Sequence, residues 1–93
     1  MGDEGGLSAV YEIEIDLRGE TLIYHEADRG RRATIVCTFG AEPWLSPRTL
    51  SDWFHPAERR HVAMGAERAA LVARIARHAQ SRLGLSRLQV EDD

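Results

Sequence analysis

The sequence predicts an α+β domain: a three-stranded antiparallel β-meander packed on one face by a long C-terminal helix, with a short terminal strand completing a β-β-β-α-β order. Three features carry this expectation. Apolar and polar residues alternate in three runs between Tyr11 and Phe39, glycine-bearing turns separate those runs, and apolar residues recur at helical spacing between Met64 and Leu83.

In the first run Tyr11, Ile13, Ile15 and Leu17 alternate with Glu12, Glu14 and Asp16, the period of a half-buried strand. Gly19-Glu20 suits a two-residue loop with glycine first, because glycine takes the required positive φ cheaply. That turn pairs Leu17 with Leu22 and Ile15 with Tyr24. The second connection, Asp28-Arg29-Gly30-Arg31, closes as a two- or four-residue loop, and both options set Tyr24 opposite Ile35 and Leu22 opposite Cys37. Tyr11, Ile13, Ile15, Leu17, Leu22, Tyr24, Ala33, Ile35, Cys37 and Phe39 then share one face, since a slip of one residue would turn a whole apolar set to water.

Residues 40–56 read as a loop-rich connector, because Pro43, Pro47 and Pro56 each remove a backbone donor. Within it, Ser46-Pro47 can cap a single helical turn, and Trp44-Leu45 can form a short extended piece. Trp44 and Trp53 are expected to close the open end of the core, or else to anchor a partner. The helix is expected from Gly65 to Leu83, with residues 57–62 as an alternative extension and Gly84 as its terminating residue. Met64, Leu71, Val72, Ile75, Ala79 and Leu83 gather on one side with Gly65, Ala69 and Ala76; Arg60, Glu67, Arg74, Arg77 and Ser81 fall opposite. Leu85, Leu88 and Val90 suggest a terminal strand, able to pair in parallel with either edge of the meander.

The 93 residues suffice for one domain, expected over residues 9–91 after a flexible acidic, glycine-rich arm over residues 1–8. All 12 basic side chains other than histidine are arginine, and both lysine and asparagine are absent, a bias that points to GC-rich bacterial coding. The net charge of −3 hides two poles. Arg18 is the only cation before Arg29, against eight acids, whereas arginines outnumber acids from Arg48 to Arg87. Cys37 is the only cysteine, which fits a reducing, cytoplasmic setting. Residues 1–10 lack the basic and apolar segments of a secretory signal, and no apolar run is long enough to span a bilayer.

No catalytic, metal or cofactor motif is predicted. His25, His55, His61 and His78 have no tight ligand spacing, and Cys37 is expected in the core while His25 points to the other sheet face. A thiol among aliphatic neighbours also lacks the base that would make it a nucleophile. Arg59, Arg60, Arg74, Arg77 and Arg82 raise a nucleic-acid reading, and three strands before a helix resemble the later part of a double-stranded RNA-binding domain. That domain's first helix and its lysine cluster are missing, and a pI near 5.8 gives a poor electrostatic footprint.

The opposite sheet face is the candidate partner-binding surface. Glu12, Glu14, Asp16 and His25 surround Ile23 and Val36, with Glu14 expected opposite His25, Asp16 opposite Ile23, and Ile23 beside Val36. An apolar centre with a polar rim suits a protein partner or a homodimer. The segments Thr21-Leu22-Ile23-Tyr24-His25-Glu26, Trp44 with Pro47, Leu50 with Trp53, Glu67-Arg68, Leu83-Gly84 and Leu88-Gln89-Val90-Glu91 together resemble a loose group of short uncharacterised bacterial proteins. The group includes suspected immunity proteins, which bind and block a toxin. Where such proteins carry aspartate or proline directly after the tryptophan, this chain has Phe54-His55-Pro56. The resemblance implies a cytoplasmic binding protein with no chemistry of its own. The functional expectation is therefore a non-enzymatic protein–protein interaction module, with a nucleic-acid-binding module using the helix arginines as the alternative.

The alternation makes one direct prediction about stability. Ile35→Asp should abolish the cooperative melt followed by circular dichroism, and Thr34→Asp should leave it nearly unchanged; equal melting of the two variants would contradict the strand's facing.

Overall fold

The computed structural model describes residues 6–16, 18, 20–39, 42–82, 84 and 87–90. In chain order the elements are β1 (Glu12–Asp16), β2 (Thr21–Glu26), β3 (Arg31–Thr38), β4 (Trp44–Ser46), β5 (Asp52–His55), β6 (Arg60–Ala63), α1 (Glu67–Arg82) and β7 (Gln89–Val90). The strands form one mixed sheet ordered β1-β2-β3-β4-β7, with β5 also on β3 and β6 on β5. The α+β class and the antiparallel β1–β2–β3 meander are as the alternation predicts, but the sheet is seven-stranded, against the three meander strands and one terminal strand expected.

Both meander registers differ from expectation by two residues. Ile15 pairs with Leu22 and Ile13 with Tyr24, while Leu22 pairs with Ile35 and Tyr24 with Ala33. Each turn is longer than a tight hairpin. Residues 17–20 separate β1 from β2, with Glu20 in the left-handed region at φ 51°. Ala27–Arg29 forms a 3-10 turn that ends on Gly30 at φ 60°, a conformation glycine takes without Cβ strain. A shift of two preserves the side-chain period, so the described strand residues keep their predicted faces. Leu17 and Gly19, named in the expected turn, lie outside the described residues.

The far edge of β3 is divided between two neighbours. Its last residues pair with β4, whereas near its start Arg32 pairs with Phe54 of β5. The Thr49 hydroxyl spans the switch, accepting from Val36 N–H at 3.0 Å and donating to the Ser46 carbonyl at 2.7 Å. A 3-10 turn over Pro47–Thr49 fills the space, which matches the single turn expected there. The connector that follows is not a loop, and residues 57–62 do not extend the helix. Residues 52–63 form the β5–β6 hairpin, closed by Glu58 N–H to the His55 carbonyl and Arg59 N–H to the Pro56 carbonyl. Pro56 starts a turn here because Arg59 adopts φ 51°, which ends any helical continuation. β7 pairs in parallel, as expected of a terminal strand, but with β4 rather than with an edge of the meander.

The core lies between the sheet's inner face and α1. Leu22, Tyr24, Ala33, Ile35, Cys37, Leu45, Leu50 and Trp53 pack against Leu71, Ile75 and Ala79, with Leu7 and Leu88 at its margins. The expected core face fails at its edge, where Tyr11 is 38% and Ile15 is 40% exposed. Inward residues of β2 and β3 are buried, so helical cover thins toward β1. Ile13 and Phe39 are only partly buried. Trp53 closes the core as expected, and Trp44 stays partly exposed.

The helix starts within two residues of the expected point, but its face is misassigned: Arg74, placed outward by periodicity, is buried. It donates to the Ser8 carbonyl and, at 2.9 Å, to the Tyr24 hydroxyl. Tyr24 donates in turn to Glu26 Oε2 at 2.5 Å, and Glu26, a fully buried carboxylate, also accepts from Ser8 N–H at 2.8 Å and Arg31 Nε at 2.6 Å. Arg31 lies 3.7 Å over the Trp53 ring and 3.3 Å from Glu67, which takes the Trp53 indole N–H at 2.9 Å. Glu67, also placed outward by periodicity, therefore faces this cluster. The expected flexible arm is anchored where it joins the domain, because Leu7 and Ser8 are buried and the Gly6 carbonyl accepts from Arg29. A Cβ on Gly6, at φ 90°, would come within 3.1 Å of Glu67 Oε2.

Burial pushes the Cys37 thiol up to about 11, with Glu20 adding to the rise. Burial and then the Glu26 carboxylate push Tyr24 up as well, against a smaller opposing pull from Arg74. Unfolding returns these groups to ordinary values of 9.0 and 10.0. Above about pH 9 the unfolded chain thus binds fewer protons than the native one, so stability is full below that pH and falls as pH rises. Urea melts should show Cys37 contributing a loss on the order of 2 kcal/mol between about pH 9 and 11, removed in Cys37→Ala. A flat alkaline profile in the unsubstituted chain would contradict the burial of both groups.

Candidate functional site

The face of β1–β3 turned away from α1 carries all six residues of the expected surface. Glu12, Glu14 and Asp16 project from β1 and are exposed, Ile23 and His25 on β2 are half-buried, and Val36 on β3 is 40% exposed. The corrected register changes who meets whom. Glu12 rather than Glu14 is opposite His25, and Glu14 rather than Asp16 is opposite Ile23. Ile23 faces Thr34 and Val36 faces Thr21, so these two apolar residues are diagonal neighbours instead of a direct pair. Glu14 still reaches His25 across the diagonal, with Oε1 2.5 Å from Nε2. The approach is out of hydrogen-bond alignment, and His25 Nε2 has no hydrogen-bond partner among the described residues.

The β5–β6 hairpin turns this flat face into two adjoining concavities. One, of about 390 Å³, lies between Glu12, Glu14 and His25 on one side and Pro56 and Ala57 of the hairpin turn on the other. The second, of about 360 Å³, is bounded by Thr34, Thr49, Asp52, Phe54 and His61. Arg32 is the wall they share, its guanidinium 4.9 Å over the Phe54 ring. Phe54 also packs on His61 at 4.8 Å, and His61 Nδ1 lies 3.1 Å from Asp52 Oδ1. Asp52, Phe54 and His61 are not predicted to meet Arg32 of β3, because Pro56 makes their hairpin read as connector. The available signal was the alternation of Asp52, Trp53, Phe54 and His55, in which buried Trp53 fixes the inward side.

Two histidine–carboxylate pairs lie here among the described residues, His25 with Glu14 and His61 with Asp52, and Ser51 and Thr34 line the second concavity beside His61. Cys37 is on the other side of the sheet with its thiol protonated, and the Thr49 hydroxyl is engaged with backbone. Among the described residues, no group of three His, Cys, Asp or Glu side chains could hold a metal ion. The helix arginines do not form one stripe. Arg74 is buried, Arg59 and Arg60 belong to the hairpin, and Arg60 lies 3.1 Å from Glu58, leaving Arg77 and Arg82 exposed on α1 itself. No described helix is long and apolar enough to cross a membrane.

No protein-family model matches the chain, and comparison with curated proteins and with solved structures finds no match. The resemblance to small bacterial proteins thus stands on its quoted residues alone.

Because β5 meets β3 at a single residue pair, the Arg32–Phe54 stack should matter locally. Arg32→Ala should speed amide hydrogen exchange in β5 and β6 about two- to fivefold, the equivalent of about 0.5–1 kcal/mol, and leave β2 unchanged. Uniform acceleration in both regions would show that the stack is not what holds the hairpin.

Proposed function

We propose that this chain is a non-enzymatic binding protein that acts by protein–protein contact through the outer face of β1–β3. The observation that carries the reading is the arrangement of that face. Val36, 40% exposed, and half-buried Ile23 form an apolar centre, and Glu12, Glu14 and Asp16 edge it with charge. The adjoining concavity of about 390 Å³ has room for a large side chain of the partner, between carboxylates and the Pro56-Ala57 turn. A centre of this kind loses binding energy when water is let in, whereas rim charges set orientation and encounter rate. The lone Cys37 fits action in a cytoplasmic setting.

The test is selection from a displayed random-peptide library on the wild-type chain, followed by titration of the enriched peptides against Val36→Arg. The reading predicts enrichment on the wild type and binding at least about tenfold weaker to the variant. A library that enriches nothing, or peptides that bind both chains equally, would overturn it.

A further inference from the structure

Building on the reading of this chain as a protein-binding module, we propose that β1 is where the partner docks, by adding a strand whose side chains alternate between basic and apolar. β1 ends the strand order and, among the described residues, pairs with β2 alone. In a strand paired on one side, alternate backbone N–H and C=O groups point away from the sheet, and these are the groups that strand addition uses. Of the usual protections of such an edge, β1 carries charge alone, through Glu12, Glu14 and Asp16, which repels an acidic strand but not a basic one. β1 has neither proline nor lysine, and no bulge interrupts its register.

The two faces of β1 specify what would lie beside it. On the outer face Glu12, Glu14 and Asp16 present only carboxylates. On the inner face Tyr11 and Ile15 are 38% and 40% exposed. A groove of about 470 Å³ lies along this edge, between Tyr11, Glu12, Ile13 and Glu14 and the His78 and Arg82 side chains of α1. A strand laid along β1 presents alternate residues to these two faces. One set meets carboxylates and must be basic, and the other meets Tyr11 and Ile15 and must be apolar.

Charge argues against a second copy as the occupant. In an antiparallel β1–β1′ pair centred on Glu14, Glu14 would face its own counterpart and Glu12 would face Asp16, placing like charges opposite one another along the whole outer row. The terminal segments with Asp3-Glu4 and Glu91-Asp92-Asp93 carry the same sign. β6, which pairs with β5 alone among the described residues, has one arginine, and Arg60 is already 3.1 Å from Glu58.

The experiment titrates the full chain with a seven-residue peptide of alternating lysine and valine, monitored by NMR amide shifts and hydrogen exchange. Comparison peptides replace lysine by glutamate, or carry N-methyl groups on one alternate set of residues or on the other. The proposal expects the lysine peptide to bind and to slow exchange of β1 amides. It expects about tenfold or greater weakening for the glutamate peptide and for whichever N-methyl peptide blocks the pairing edge. No binding, equal binding by all four peptides, or shifts confined to Ile23 and Val36 without protection of β1 would overturn strand addition. The last result would leave the outer-face reading intact. Conversely, β1 protection that persists in Val36→Arg would uphold strand addition and remove that reading. Protection of β1 in the chain alone, with a dimer by light scattering, would assign the edge to a second copy and overturn the proposal.

Discussion

Glu26 is a carboxylate with no exposed surface, placed at the end of β2 where the N-terminal segment, the meander, the β5–β6 hairpin and α1 converge. A buried ion is tolerable only if nearly all its acceptor capacity is used, and here Ser8 N–H, the Tyr24 hydroxyl and Arg31 Nε all donate to it. The pairing extends outward in both directions. Arg31 passes to Glu67 and stacks on Trp53, while Arg74 holds Tyr24 and the Ser8 carbonyl and stacks 4.5 Å over Tyr11. Two carboxylates and two guanidinium groups thus balance inside a small core. Such a set adds modest net stability compared with apolar packing, yet loss of one member leaves its partner stranded at a cost of about 3–5 kcal/mol. Its main consequence is geometric, because this relative placement of the elements gives all four charged groups their partners at once.

That placement decides what remains exposed. With α1 held over β2 and β3 through Arg74 and Glu67, cover runs out at β1, where Tyr11 and Ile15 reach solvent. With Trp53 pinned inward by Arg31 and Glu67, its neighbours on β5 turn outward, and Phe54 meets Arg32 on the other face. The concavities between the hairpin turn and β1–β2 exist because the same cluster orients both walls. The acidic row of β1, the half-covered edge and the concave outer face are consequences of one buried arrangement.

The meander and its facing were legible in the sequence because alternation is a local signal, and errors of two residues in register do not alter it. Glu12, Glu14, Asp16, Ile23, His25 and Val36 consequently share a face as expected, although their direct pairings differ. The hairpin was not legible, since Pro56 and Gly65 punctuate residues 52–66 in a way that suits a loop or a helix start equally well. Arg74 was misread for a different reason. Periodicity assigns a charged residue to solvent, and only the three-dimensional convergence of Ser8, Tyr24 and Glu26 provides the partners that let it be buried. Composition predicts a loose arm at Leu7 and Ser8, because composition says nothing about a carboxylate eighteen residues from Ser8.

The most direct measurement of this account is the exchange rate of a single backbone amide. Ser8 N–H is buried and donates to Glu26 Oε2 at 2.8 Å, so it reports the charge cluster and the docking of the N-terminal segment together. Native-state hydrogen exchange should find it protected roughly a hundredfold or more relative to an unstructured chain, despite its position near the terminus. Exchange at the unstructured rate would mean that Glu26 is not held from this side, and would contradict the claim that the cluster sets the arrangement of the fold.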